Sequence, residues 1–172
     1  MIVQVLLPLI SLLTSQVHCI TDGSPVRDLE DAPYQVSIRL KAKDGTFGLG
    51  FICSGVLIDL KNVLTSAQCV HDKEGKLLGP ESFILVFGTI YRTKAPSQHL
   101  TRNVKKIYLN EDVNATQRYI DAAVLRLDEA MPQNNDKIKA FEMRKDEVKG
   151  TTECRLTGWG SNTIEGEFAD VL

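Results

Sequence analysis

The sequence carries no surplus of either charge sign, no internal repeat and no low-complexity segment. Its 20 Lys and Arg stand against 22 Asp and Glu, for a formal net charge of -2, and the two signs are mixed along the chain. That balance leaves no footprint for nucleic acid and no polybasic stretch for a membrane surface. Long helical periodicity is scarce. The four cysteines include no CxxC pair, so Cys53, Cys69 and His71 lack the spacing of a zinc site, and no metal or other cofactor is expected.

Charge is missing altogether from the first nineteen residues, where an apolar run over residues 2–13 is broken only by Gln4, Pro8 and Ser11. The run is short for a bilayer span but suits the apolar region of a secretory signal peptide. A leader over residues 1–19, cut between Cys19 and Ile20, is therefore expected, with a secreted, extracellular product; the other reading is a buried N-terminal strand or helix. A lumenal route would bring the Asn114-Ala115-Thr116 sequon to the glycosylation machinery, which makes Asn114 a glycan candidate.

What is present is enough for one ordinary domain: 172 residues, of which 43% are hydrophobic. From Ile20 onward, short apolar or alternating segments are separated by turn residues, the pattern of an all-β sandwich or barrel. Residues 35–40 alternate, with Val36, Ile38 and Leu40 on one face, and Asp44-Gly45 predicts a tight turn into a hairpin. Further strands are predicted over residues 51–58, 62–67, 83–87, 104–109 and 122–127. Residues 128–152 are mostly polar and read as a surface linker. A second unit is expected to start at 153–172, with too little sequence to close another barrel, so unpaired edges and apolar surface are expected to be exposed there and the last forty or so residues to be poorly ordered.

Several short motifs run in a recognisable order. Leu64-Thr65-Ser66-Ala67-Gln68-Cys69 resembles the segment that carries the catalytic histidine of the chymotrypsin/trypsin serine-protease family, where Ala-His-Cys is usual. Cys53-Ser54-Gly55-Val56-Leu57-Ile58 resembles the strand before it. Asp121-Ala122-Ala123-Val124-Leu125-Arg126-Leu127 resembles the segment of the catalytic aspartate, and Gly158-Trp159-Gly160, after Cys154, resembles the opening of the second barrel. Ile20-Thr21-Asp22-Gly23 is similar to a degraded mature N-terminus.

The resemblance implies a chymotrypsin-like fold of two β-barrels with the site between them, here with the first barrel complete over 20–127 and the second truncated. It also implies a Cys53–Cys69 disulfide and a triad whose first two positions are Gln68 and Asp121. A carboxamide does not titrate near neutral pH, so Gln68 cannot serve as general base. An amide bond from Gln68 to the Asp121 carboxylate is the expected relief for an otherwise unpaired charge. His71 would have to turn against the disulfide to take the role, and His99 has no motif context.

Neither Gly-Asp-Ser-Gly-Gly nor Gly-x-Ser-x-Gly occurs in the 172 residues, and Ser54 and Ser161 fit structural roles. No basic residue precedes Ile20 as an activation site. With the leader removed, Cys154 is left without a mate, to pair between chains, with a retained Cys19, or to mark a shortened polypeptide. The resulting expectation is a protease homologue that acts by binding an extracellular protein, a protease or a protease substrate, with no nucleic acid and no membrane span. Its rival is a trypsin-like endopeptidase whose sequence continues.

Overall fold

The computed structural model describes residues 23–109, 121–161 and 168–172. The expected leader over residues 1–19, with Cys19, then Ile20 and the Asn114 sequon lie outside the described residues. Six antiparallel strands close into a barrel: β1 (Gln35–Leu40), β2 (Phe51–Asp59), β3 (Asn62–Thr65), β4 (Phe83–Phe87), β5 (Leu100–Leu109) and β6 (Ala123–Leu127). Around the wall they run β1-β2-β3-β6-β5-β4, and β4 pairs back onto β1. Closure removes the free sheet edges that an open six-stranded sheet would present.

Alternation sets the interior. Val36 and Ile38, Leu57, Val63, Phe83, Leu85 and Phe87, Leu125 and Leu127 point inward and are at most 1% exposed. Each such side chain contributes about 2 kcal/mol through burial alone. At Gly55 the wall comes closest to itself: a Cβ there would meet Val63 Cγ1 at 2.8 Å and the Leu64 carbonyl at 3.1 Å, so β2 and β3 need glycine to approach this far.

The outer side of β1 departs from the sequence expectation. Gln35, Ser37 and Arg39 alternate with the core residues, yet they too are buried, at 3%, 0% and 0% exposure. Other parts of the chain cover them. Thr157 Oγ1 bonds Gln35 Oε1 at 2.9 Å, and the Arg92 carbonyl accepts from Arg39 Nη2 at 3.0 Å. The predicted tight turn at Asp44-Gly45 is instead a longer connection with a 3-10 turn at Lys41–Lys43, because Asp44 folds back to reach Arg39 and the N–H groups of Gly48 and Gly50.

Residues 128–141 do more than cross the surface. Met131 and Ile138 are buried in the barrel core, and the Phe141 N–H donates to the Leu57 carbonyl at 2.7 Å. Beyond them residues 142–156 are exposed. Then the chain docks again: Trp159, Phe51, Ala32 and Leu172 form a second, smaller apolar cluster outside the barrel. Backbone bonds from Arg92 N–H to Asp170 O (2.8 Å), Leu172 N–H to Ile90 O (2.8 Å) and Val26 N–H to Leu172 O (2.6 Å) tie it down. Trp159, Ala169 and Leu172 are therefore buried, where exposed apolar surface was expected: the barrel rim around Phe51 and Ile90 supplies both an apolar surface and backbone partners.

Candidate functional site

Strand register builds the site. Thr65 at the end of β3 pairs with Ala123 at the start of β6. The residues that follow Thr65 therefore meet the residue two before Ala123. Ser66 leads into a 3-10 helix, Ala67–Val70, whose Cys69 is buried and bonded to Cys53 on β2. The disulfide that the family resemblance implied is thus present, with the two Cα atoms 6.0 Å apart and a sequence separation of 16. Closing a loop of this length removes about 3 kcal/mol of chain entropy from the unfolded state. It also pins the short helix, which holds Gln68 at the barrel rim.

Asp121 receives two hydrogen bonds there. The Ser66 hydroxyl donates to Oδ2, and the Gln68 backbone N–H donates to Oδ1 at 3.0 Å. The expected bond from the Gln68 carboxamide is replaced by one from its main chain. The reason is local: the 3-10 turn aims the free N–H groups of its first residues toward β6, while the Gln68 side chain is exposed. Asp121 is exposed as well, so it is not the buried carboxylate for which the amide was expected to compensate. The motif gives no signal for Ser66; its role follows from the β3–β6 register, which no sequence pattern displays.

The Ser66 hydroxyl, then the Gln68 N–H, hold the Asp121 carboxyl below its ordinary value of 3.8, against the opposing effect of desolvation. A depressed folded pKa contributes stability that is present above the unfolded value and is lost as pH falls through the folded one. Asp121→Asn is therefore expected to flatten the acid limb of the stability curve below about pH 4 and to leave neutral stability little changed. Urea midpoints measured across that range check it; an acid limb identical to that of the parent would show that the two bonds do not persist in solution.

His71 caps the short helix. Its Nδ1 lies 2.7 Å from the Ala67 carbonyl, and since a carbonyl only accepts, Nδ1 carries the proton and the ring is held on its own turn. His99 makes the same kind of bond to Pro96 O at 2.6 Å and packs edge-on against Phe47. Ser54 gives its carbonyl to Thr65 Oγ1 at 2.9 Å, inside the barrel wall. Ser161 forms a bridge with Phe168. Cys154 is exposed, with its thiol toward the Thr152 carbonyl, and is the free cysteine among the described residues.

Beside the disulfide runs an apolar groove of about 300 Å³, formed by Phe51, Ile52, Cys53 and Ser54 on one side and by Leu156 to Gly160 with Phe168 on the other. Among the described residues no group of three His, Cys, Asp or Glu is placed to hold a metal ion. No described helix is long and apolar enough to cross a membrane.

A closed six-stranded barrel, a disulfide-tethered turn at its rim and a strand-start aspartate bonded to that turn are the first-barrel arrangement of trypsin-like serine proteases. The sequence profile of the Trypsin family matches residues 20–172. The chain belongs to the trypsin-like serine-protease family. A trypsin zeta of Drosophila erecta is 30% identical over 152 residues, covering 87% of this chain and 52% of the relative. A trypsin zeta of Drosophila melanogaster is 28% identical over 154 residues, and a trypsin theta of the same species 29% over 129 residues, covering 44% of that relative. The chain spans about half the length of the curated relatives it matches.

Proposed function

We propose that this protein is a secreted, non-catalytic member of the family that acts by binding, as a regulator or decoy in an extracellular proteolytic cascade. One observation carries the proposal: a glutamine stands at position 68, where the family motif has its catalytic histidine. The reaction needs a group that takes a proton from the nucleophile and returns it to the leaving amine. Carboxamides do neither at neutral pH. His71, with Nδ1 on the Ala67 carbonyl, belongs to the turn's own hydrogen bonding. The fold around the missing base is kept, disulfide and aspartate bonds included, as a binding scaffold requires. Secretion is supported by the uncharged leader, the Asn114 sequon and the disulfide, which forms in oxidising compartments.

The second reading is a trypsin-like endopeptidase. It is favoured by the intact hydrogen-bonded seat of Asp121 and by relatives that are named trypsins. Secreted protein expressed from the complete transcript, tested on casein and on peptide amide substrates, separates the two. The proposal expects no hydrolysis above background by the parent. Turnover that disappears in Asp121→Asn overturns it and establishes the protease.

A further inference from the structure

We propose that the outer face of β5 and β6 around Lys105, Lys106 and Arg126 is a docking surface for an acidic, partly apolar segment of a protein partner. The surface goes beyond the question of catalysis, since Arg126 stands five residues past Asp121, about 17 Å along the strand. A β-bulge makes it. Val104 pairs with Leu127, but the next paired residue on β5 is Lys106, opposite Arg126. The extra residue, Lys105, has no partner, and both lysines stand in solvent beside the exposed Arg126. Val104 before the bulge and Ile107 after it still face the core, so the bulge adds cations to the outer wall without disturbing the interior.

Within the ladder the Lys106–Arg126 pairing works against folding. Like charges directly opposite each other on neighbouring strands repel. Among the described residues the ion pair is Arg39–Asp44, on β1 and the connection after it, and none of the three cations has one. Asp59 lies near enough to Arg126 to feel its charge, but its carboxylate is already taken by the Lys61 N–H and Asn62 Nδ2. A cationic cluster in a chain whose net charge is -2 is thus a local feature that an anionic partner would complete.

The neighbouring pair on the same face selects among anions. Tyr108 pairs with Val124, is 39% exposed, and has the Lys106 ammonium 4.6 Å above its ring. An aromatic and an aliphatic side chain beside three cations offer contacts to Phe or Leu side chains as well as to carboxylates, which a sulfated polysaccharide or a nucleic acid would leave unused. A protein segment fits both halves of the surface.

The test is fluorescence anisotropy with a labelled synthetic peptide in which pairs of Glu alternate with Phe and Leu. The expected result is saturable binding that weakens several-fold between about 50 and about 200 mM salt. Lys105→Gln/Lys106→Gln/Arg126→Gln is expected to weaken it about tenfold or more, and Tyr108→Ser several-fold. Thermal melts of the triple variant should match or exceed the parent, because the opposed charges are gone. Should that variant fail to fold, Lys105→Gln alone, at the unpaired bulge position, gives the same readout. Absence of saturable binding, unchanged affinity in these variants, or displacement by heparin oligosaccharides with Tyr108→Ser binding like the parent would overturn the proposal.

Discussion

Asp44→Ala is expected to cost roughly 3–5 kcal/mol of stability, although the residue lies in a surface connection. The cause is Arg39, fully buried on the outer side of β1. Its guanidinium sits 3.9 Å above the Phe47 ring, donates from Nε to Ser37 Oγ at 2.9 Å and from Nη2 to the Arg92 carbonyl at 3.0 Å, and pairs with Asp44 Oδ2 at 3.3 Å. Asp44 supplies the countercharge. Burial pulls the Arg39 pKa down and Asp44 restores it only in part, so the group stays charged and dependent on its partner.

The other oxygen of Asp44 accepts from the N–H groups of Gly48 and Gly50, at 2.8 and 3.1 Å. Gly48 has φ of 92°, and a Cβ there would run into the Arg92 carbonyl, the same oxygen that Arg39 uses. Losing Asp44 therefore strands a buried charge and unties the loop together. Urea unfolding at unchanged slope measures the loss. Adding Arg39→Met to Asp44→Ala is expected to recover much of it, since an apolar chain needs no countercharge. A loss below about 1 kcal/mol in the single variant would mean that water reaches the guanidinium.

Trp159→Ala is expected to remove about 3–5 kcal/mol from the docking of the C-terminal segment while the barrel survives. Trp159 is 1% exposed, meets Phe51 edge to face at 5.7 Å, and donates from Nε1 to the Ile90 carbonyl at 2.9 Å. Its cluster with Ala32, Phe51 and Leu172 is separate from the barrel core. Hydrogen exchange distinguishes local from global loss. Protection should fall at the N–H groups of Arg92 and Leu172, which bond Asp170 and Ile90 across this contact, and persist in β1 and β4. Equal loss of protection throughout the barrel would show that the two clusters unfold as one.

Much of the barrel is legible in the sequence. The predicted strands over 35–40 and 83–87 coincide with β1 and β4, and the others are met within a few residues. Turn residues bound them sharply, as Gly88 does with its φ of 73° at the end of β4. β5 begins at Leu100, four residues earlier than predicted, because Thr101, Arg102 and Asn103 are polar and yet complete a full ladder with β4. Backbone pairing does not require an apolar side chain, so such a stretch gives no hydrophobic signal.

The sequence by itself determined the family, the strand pattern, the partners in the disulfide and the identity of the residue at position 68. The strand pattern rests on residue types and on order along the chain, and the disulfide partners on the family resemblance that the motifs carry. Tertiary structure decided what surrounds each of them: that Asp121 is held by the Ser66 hydroxyl and a main-chain N–H and not by the Gln68 amide, that Arg39 is buried with Asp44, that Trp159 closes a second cluster, and that a bulge brings Lys105 and Lys106 beside Arg126. The seat of Asp121 and the cationic bulge depend on register between strands distant in sequence, and the burial of Arg39 and Trp159 on which distant segments fold over them. A shift of one residue turns every side chain to the opposite face, and only the packed barrel chooses among those registers.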